Sequence, residues 1–128
     1  MARRAVHSDA APQAIGTYSQ ALAVEGTVYL SGQIPLDPGS MQIVPGGVRR
    51  EVEQVLANLD AVATAAGGNL EDIVKLTVYL TDLNDFETVN RVMARQFSEP
   101  YPARAAVQVA ALPRGARVEI DAVLVLRG

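Results

Sequence analysis

A pair of β-prone runs near the end of this chain narrows its possible folds more than any other part of the sequence. The first run covers residues 101–113 and the second covers residues 117–126, and both contain alternating and β-branched residues. Pro113, Arg114 and Gly115 lie between them and favour a turn. Such runs on either side of a turn signal are typical of strands, so the sequence predicts a strand, a connection and a second strand.

Side chains should alternate between two faces along the second of these predicted strands. One face carries only apolar residues, namely Val118, Ile120, Ala122, Leu124 and Leu126. The other face carries Glu119 and Asp121 beside Val123 and Val125. A carboxylate among apolar neighbours is costly unless it is paired or solvated, so Glu119 needs a partner or a wet cleft. Arg104 is one candidate partner, and on spacing alone an ordinary ion pair at a sheet edge is the simpler interpretation.

Further strand-like runs precede this pair. They are residues 4–7, 20–24, 27–32 and 73–82. Glu25 and Gly26 predict a hairpin turn between the second and third of these runs. Alternation in the fourth run places Val74 and Leu76 on its apolar face.

Two segments have the apolar spacing of amphipathic helices. The first begins at Val48 and ends at the glycine pair of residues 67–68, which favours helix termination. The second begins after Asn84 or Asp85, either of which can cap it. Its apolar stripe consists of Phe86, Val89, Val92, Met93 and Phe97. Before the first helix, residues 35–47 are rich in proline and glycine and form a loop that either determines specificity or simply connects two elements.

The order of these elements predicts the α+β class, with a mixed β-sheet and two helices packed on one face. The other sheet face then carries apolar residues without cover, among them Tyr79, Val107, Val123 and Val125. Exposed apolar area of that extent indicates assembly with other copies of the chain.

Composition excludes several classes of function. With 128 residues, of which 49% are hydrophobic, the chain can build one core, and we expect a single domain over residues 1–128. The chain has no cysteine, which excludes disulfides and thiolate sites and agrees with a cytoplasmic location. The sequence predicts neither a secretory leader nor a membrane span. A net charge of −3 and 5% aromatic residues argue against a nucleic-acid partner.

Short motifs along the whole chain resemble, in order, those of one known family, the RidA family (YjgF/YER057c/UK114). The resemblance covers an early loop, a strand end, the central strand, the start of the second helix and the closing signature. The matching segments are Gly16-x-Tyr18-Ser19-Gln20-Ala21, Ser31-Gly32-Gln33-Ile34, Val74-Lys75-x-Thr77-Val78-Tyr79-Leu80-x-Asp82, Asp85-Phe86-x-x-Val89-Asn90, Pro102-Ala103-Arg104, Val107-x-Val109-Ala110-x-Leu112-Pro113 and Val118-Glu119-Ile120. Each motif is weak alone, but their combination in this order is specific.

The resemblance implies a chorismate-mutase-like fold and a homotrimer whose sheets face inward, with a cleft between each pair of neighbouring subunits. It also implies an enzyme that hydrolyses reactive 2-enamine and 2-imino acids, such as 2-aminoacrylate and 2-aminocrotonate, to 2-oxo acids and ammonia. The family needs no metal or organic cofactor for this reaction, so we expect neither here.

The same resemblance assigns roles to residues of the cleft. Arg104 is expected to bind the substrate carboxylate through two parallel hydrogen bonds, which lysine cannot reproduce. Glu119 is expected to deprotonate a water molecule and to return the proton to the leaving nitrogen. The other substrate-binding positions are Tyr18, Ser31, Gly32, Asn90, Ala105, Ala106 and Val107. Tyr18 and Ser31 are expected to hydrogen-bond substrate or water, and backbone groups of residues 105–107 to bind the imine nitrogen.

Three positions depart from the usual family pattern. Ala106 stands where a cysteine is frequent, Thr17 where a proline is common and Met93 where a tyrosine is frequent. Changes of this size alter which side chain a cleft accepts, so they leave the substrate range open.

Other functions are also compatible with the resemblance. A related deaminase would keep the arginine and act on a pathway-specific enamine, such as an aminoacrylate derivative or an amino-muconate-like compound. A member of another class would be a non-catalytic metabolite-binding or chaperone-like trimer, or would cleave RNA, an activity that has been attached to some family members.

Overall fold

The computed structural model describes residues 2–127, which form a six-stranded mixed sheet with two helices on one face. The strands are β1 (Arg3–Val6), β2 (Ala21–Val24), β3 (Thr27–Gln33), β4 (Ile73–Leu80), β5 (Ala103–Gln108) and β6 (Val118–Val125). The helices are α1 (Val48–Ala66) and α2 (Phe86–Gln96). The strand order is β1-β2-β3-β6-β4-β5, in which β4 and β5 are parallel and the other neighbours are antiparallel. The predicted α+β class is therefore confirmed.

The first three strands form an antiparallel meander at one edge of the sheet. The turn between β2 and β3 consists of Glu25 and Gly26, as predicted. β1 confirms the additional strand that the sequence indicates close to residues 4–7.

The core lies between the sheet and the inner faces of the two helices. On α1, the residues with 0% exposure include Val52, Val55, Leu56, Leu59 and Val62. On β6, alternate residues from Val118 to Leu124 are buried, as the alternation predicts. Gly67 ends α1 with a φ of 103°, a left-handed conformation that glycine adopts easily. Among residues 2–127, no helix is long and apolar enough to span a membrane.

Two details of the predicted elements are wrong. Val74 is 46% exposed rather than buried, because the register between β4 and β6 shifts at the beginning of β4. Such a bulge takes one residue out of the alternation. The end of β4 also differs, because the strand ends at Leu80, before Asp82, whose side chain accepts a hydrogen bond from the backbone N–H of Asn84. Asp85 is the N-cap residue of α2, as predicted, and its side chain makes no capping hydrogen bond.

The sheet face opposite the helices, here called the open face, has no covering layer within the described chain. Tyr29, Val107 and Val125 are 53%, 42% and 44% exposed there. Tyr79 and Val123 on the same face are partly exposed. The predicted uncovered apolar face is therefore present, and faces of this kind mark interaction sites.

Candidate active site

Glu119 lies on the open face, next to the first residue of β6. Its neighbours are Tyr79 on β4 and Gly32 at the bulged end of β3. A Cβ atom placed on Gly32 would overlap Oε2 of Glu119. The carboxylate therefore occupies space that only a glycine at position 32 leaves open.

The surroundings of Glu119 favour its protonated form. Burial raises the pKa of its carboxyl, and the negative charge of Asp121 on the same face of β6 raises it further. Asp121 accepts a hydrogen bond of 3.0 Å from the hydroxyl of Tyr79, and this bond raises the pKa of Tyr79. A carboxyl whose pKa is shifted towards neutrality is suited to general acid/base catalysis.

The acidic side chains at this position are not arranged as a metal site. Glu119 and Asp121 share the open face, but Asp121 is hydrogen-bonded to Tyr79. Among the described residues, no group of three or more histidine, cysteine, aspartate or glutamate side chains is placed to hold a metal ion.

A cavity of about 560 Å³ opens beside Glu119. Tyr18, Ser31 and Gly32 also line it. The Ser31 hydroxyl donates a hydrogen bond of 2.6 Å to the backbone carbonyl of Ser19, which fixes its position in the wall. Tyr18 is 54% exposed, and its hydroxyl accepts a hydrogen bond of 3.4 Å from a backbone N–H of the preceding loop. The structure therefore brings together four of the residues predicted for the cleft.

Arg104 lies on β5 and extends towards α2. Its Nη1 donates a hydrogen bond of 2.6 Å to Oδ1 of Asn90 and contacts Sδ of Met93 at 3.6 Å. The guanidinium lies over the ring of Phe86, 4.7 Å from the ring centroid, in a cation–π contact. A second cavity, of about 370 Å³, is lined by Arg104, Asn90, Met93 and Tyr101. A guanidinium carries five N–H donors, so donors of Arg104 are left for a ligand.

Within one chain, Arg104 and Glu119 lie on opposite faces of the sheet. Arg104 is paired with Leu76 across β5 and β4, whereas Glu119 is paired with Tyr79 across β6 and β4. Leu76 and Tyr79 are an odd number of residues apart on β4, which places their side chains on different faces. The candidate ion pair between Arg104 and Glu119 is therefore not formed within the chain, and Arg104 is hydrogen-bonded to Asn90 instead.

The residues after Arg104 lie on the last strand in the sheet order. β5 pairs with β4 along one side, and its other side faces away from the sheet. Ala106 shares the helix-facing side with Arg104 and packs against the core, while Ala105 and Val107 are exposed on the open face. The backbone of residues 105–107 is therefore available to a ligand or to another chain.

Arg114 lines the cavity beside Glu119, although its place in a predicted turn gives no indication of this. Its Nη1 donates a hydrogen bond of 2.8 Å to the backbone carbonyl of Met41, which lines the same cavity. Residues 35–47, which include Met41, therefore contribute to the site rather than only connecting two elements. No sequence signal indicates this contact, because 73 positions separate its partners.

A row of polar side chains on α1 holds this loop in place. Arg50 donates a hydrogen bond to Gln54, and Gln54 donates one to Asn58. Asn58 then donates a hydrogen bond of 3.0 Å to the backbone carbonyl of Leu36, a residue that lines the cavity. The spacing of four residues between these side chains is a signal that sequence reading can use, because it places them on one helix face.

Known proteins are similar to this chain along nearly its whole length. The profile of the family described as endoribonuclease L-PSP matches residues 8–126. The 2-iminobutanoate/2-iminopropanoate deaminase of Bos taurus is 51% identical over 125 residues, which cover 98% of this chain and 91% of that protein. Protein DfrA of Myxococcus xanthus is 54% identical over 127 residues, which cover 98% of this chain and 97% of that protein.

Solved structures are similar along the same length. The crystal structure of RidA from the Antarctic bacterium Psychrobacter sp. PAMC 21119 has a TM-score of 0.92 and 52% identity, and the match covers 96% of this chain and 99% of that chain. The crystal structure of E. coli TdcF with bound serine has a TM-score of 0.90 and 40% identity, and covers 97% of this chain and 99% of that chain. The likeness therefore includes every element that carries a residue of the candidate site.

Proposed function

This chain belongs to the RidA family (YjgF/YER057c/UK114), and on that basis we propose that it hydrolyses 2-imino acids to 2-oxo acids and ammonia. The substrates would be the imine forms of 2-aminoacrylate and 2-aminocrotonate. Near-full-length identity of about one half to proteins named 2-iminobutanoate/2-iminopropanoate deaminase carries this proposal. A net charge of −3 disfavours the alternative of an RNA substrate.

The complete site would form between two copies of the chain. Each chain presents Glu119 on the open face and Arg104 on the opposite side of the sheet, so a cleft with both groups needs a neighbour. The exposed apolar residues of the open face supply a surface for that contact. We therefore propose a homotrimer with three such clefts, as the family resemblance implies.

Arg104 would bind the substrate carboxylate. Its contacts with Asn90, Met93 and Phe86 hold the guanidinium in one place. Because the group is planar and retains free donors, it can form two parallel charge-assisted hydrogen bonds to a carboxylate. This binding would fix the imine carbon relative to the Glu119 of the neighbouring chain.

Glu119 would transfer the protons. In its ionised form it accepts a proton from water while the water oxygen adds to the C=N carbon. It then returns that proton to the nitrogen, which gives a carbinolamine. The hydroxyl proton of the carbinolamine next passes through the same carboxylate to the amino nitrogen, the C–N bond breaks as the C=O bond forms, and ammonia and the 2-oxo acid leave. A general acid/base of this kind contributes roughly 10²–10⁴-fold to the rate. Ser31 and Tyr18 line the same cavity and would hydrogen-bond the water or the substrate.

The proposal predicts that Arg104→Ala loses most of the deaminase activity, by at least about 100-fold in kcat/KM, because two charge-assisted hydrogen bonds are lost. The measurement is ammonia and 2-oxo acid release from 2-aminocrotonate generated in situ, after subtraction of the spontaneous hydrolysis rate. Arg91→Ala is the matched control, because Arg91 lies on α2 and forms only an exposed ion pair with Glu87. No acceleration by the unmodified protein, or equal activity of the two variants, would contradict the proposal.

A further inference from the structure

Within one chain, the cavity beside Glu119 is larger than the proposed small substrates require. Its volume of about 560 Å³ lies in the range of pockets that hold drug-sized ligands. In the proposed trimer, the neighbouring chain that supplies Arg104 would occupy part of this volume, whereas the wall formed by Met41 and Arg114 belongs to the chain that carries Glu119. Wall residues that have no role in the proposed reaction therefore indicate what longer substrates carry.

Two charged residues line this cavity among the described residues, Glu119 and Arg114. The proposed reaction uses Glu119 and leaves Arg114 without a role. Among the described residues, Glu119 and Arg114 do not form an ion pair with each other. Arg114 is therefore a cation in the wall of the cavity. Within residues 2–127, no acidic side chain forms an ion pair with it.

The backbone and one hydrogen bond position Arg114. It lies in a short 3-10 turn, Pro113–Gly115, and has a φ of 59°, in the left-handed region that side-chain-bearing residues seldom adopt. Its Nη1 donates a hydrogen bond to the backbone carbonyl of Met41, which lines the same cavity. Strained residues of this kind are common at ligand clamps. Since one hydrogen bond engages one of five donors, the guanidinium can also bind a carboxylate.

We propose that Arg114 binds a second carboxylate, at the side-chain end of the substrate, and that this protein prefers 2-imino acids with an acidic side chain. The inference rests on the proposed imine hydrolysis. The 2-carboxylate would be bound by Arg104 of the neighbouring chain, and the side chain would extend along the cavity towards Met41 and Arg114. The second carboxylate takes no part in the reaction, which still converts the imine and water to the 2-oxo acid and ammonia.

The test compares two imines generated in situ by amino-acid oxidases in the presence of catalase. 2-Iminoglutarate comes from L-glutamate and 2-iminobutanoate from L-2-aminobutanoate, and semicarbazide traps the imine that the protein does not hydrolyse. The quantity measured is the ratio of kcat/KM for 2-iminoglutarate to kcat/KM for 2-iminobutanoate. The unmodified protein should have a ratio above one, and Arg114→Gln should lower it about tenfold.

Two further variants make the result specific. Glycine adopts a positive φ easily, so Arg114→Gly removes the guanidinium without straining the turn. This variant should lower the ratio as much as Arg114→Gln does. Arg49→Gln removes an exposed arginine at the start of α1, outside the cavity, and should leave the ratio unchanged.

The possible outcomes separate this inference from the proposed function. Hydrolysis of 2-iminobutanoate without a preference for 2-iminoglutarate, or a ratio that the Arg114 variants leave unchanged, would overturn the inference alone. Failure of the unmodified protein to accelerate hydrolysis of either imine would overturn the proposed function and the inference with it.

Discussion

At the candidate site, Gly32 lies so near the carboxylate of Glu119 that a Cβ atom on the glycine would overlap it. A backbone without a side chain lets a charged group lie against the end of β3, where it is partly shielded from water. The same shielding, together with Asp121, raises the pKa of Glu119. At the scale of single residues, Gly32 and Asp121 therefore influence the position and the pKa of the carboxyl group that is proposed to transfer protons.

Gly32→Ala should abolish most of the activity while leaving the fold intact. The added methyl group would displace the Glu119 carboxylate, and we expect a fall in kcat/KM of about 100-fold, the scale of a lost general acid/base. Gly26→Ala is the control, since a Cβ atom there meets no other atom within 4 Å. The two variants are compared in the imine assay, with circular dichroism as the check of folding. Equal activities would show that the position of the carboxylate does not matter.

Asp121→Asn should shift the pH dependence of the reaction to lower pH. The charge of Asp121 disfavours ionisation of Glu119, so its removal lowers the pKa of Glu119. If ionised Glu119 is the base, the acid limb of the kcat/KM profile moves down with that pKa. Glu87→Gln, which removes an exposed carboxylate on α2, should leave the limb in place. An acid limb that moves upward in Asp121→Asn would contradict the assigned effect of the charge.

Sequence reading identifies some of these residues but not their grouping. Alternation along β6 places Glu119 and Asp121 on one face, and the family motif singles out Arg104. The contact of Gly32 with the carboxylate depends on the bulge in β3, which no local pattern indicates. Arg114 escapes prediction because its partner lies far away in the chain.

At the scale of secondary-structure elements, α1 has two functions. One face packs on the sheet, and the adjacent polar row ending at Asn58 supports the loop that lines the cavity. Glu51 of the same helix accepts a hydrogen bond of 2.9 Å from the backbone N–H of Arg117, just before β6. The helix therefore positions both the loop and the strand that surround the cavity, whereas its sequence period indicates only the packing face.

Asn58→Ala should lower the free energy of unfolding by about 1–3 kcal/mol, because the Leu36 carbonyl loses a hydrogen bond in a buried place. Asn84→Ala, at an exposed position before α2, is the matched control and should change stability little. Urea denaturation followed by circular dichroism measures both variants. A similar loss for Asn58→Ala and Asn84→Ala would mean that the polar row contributes nothing specific.

At the scale of the whole molecule, the periodicity of the sequence predicts the layers correctly, while the location of the site within them depends on tertiary pairing. β5 is parallel to β4, and the register of that pair decides on which face Arg104 lies. That register follows from packing and not from any local signal. The cytoplasmic location expected from composition stays a prediction.

Val125→Glu should convert the proposed trimer into a folded monomer without deaminase activity. A charge on the open face would be buried without a partner in the assembled protein, whereas in the monomer it stays in water, since Val125 is 44% exposed. Light scattering after gel filtration measures the mass, and the imine assay measures the activity. Ala57→Glu adds the same charge on an exposed position of α1 and should keep the trimer. A monomeric unmodified protein, or a trimeric and active Val125→Glu variant, would contradict the proposed assembly.

The placement of Arg104 and Glu119 on opposite faces has a genetic consequence. In the proposed trimer, a chain that lacks Arg104 inactivates only the cleft to which it would contribute the guanidinium. The same chain still contributes its Glu119 carboxylate to the cleft that it forms with the other neighbour. In a cell with two alleles, one carrying Arg104→Ala and the other Glu119→Gln, mixed trimers would contain some intact clefts. Such alleles would complement each other, and a single defective allele would lower activity in proportion to its dosage.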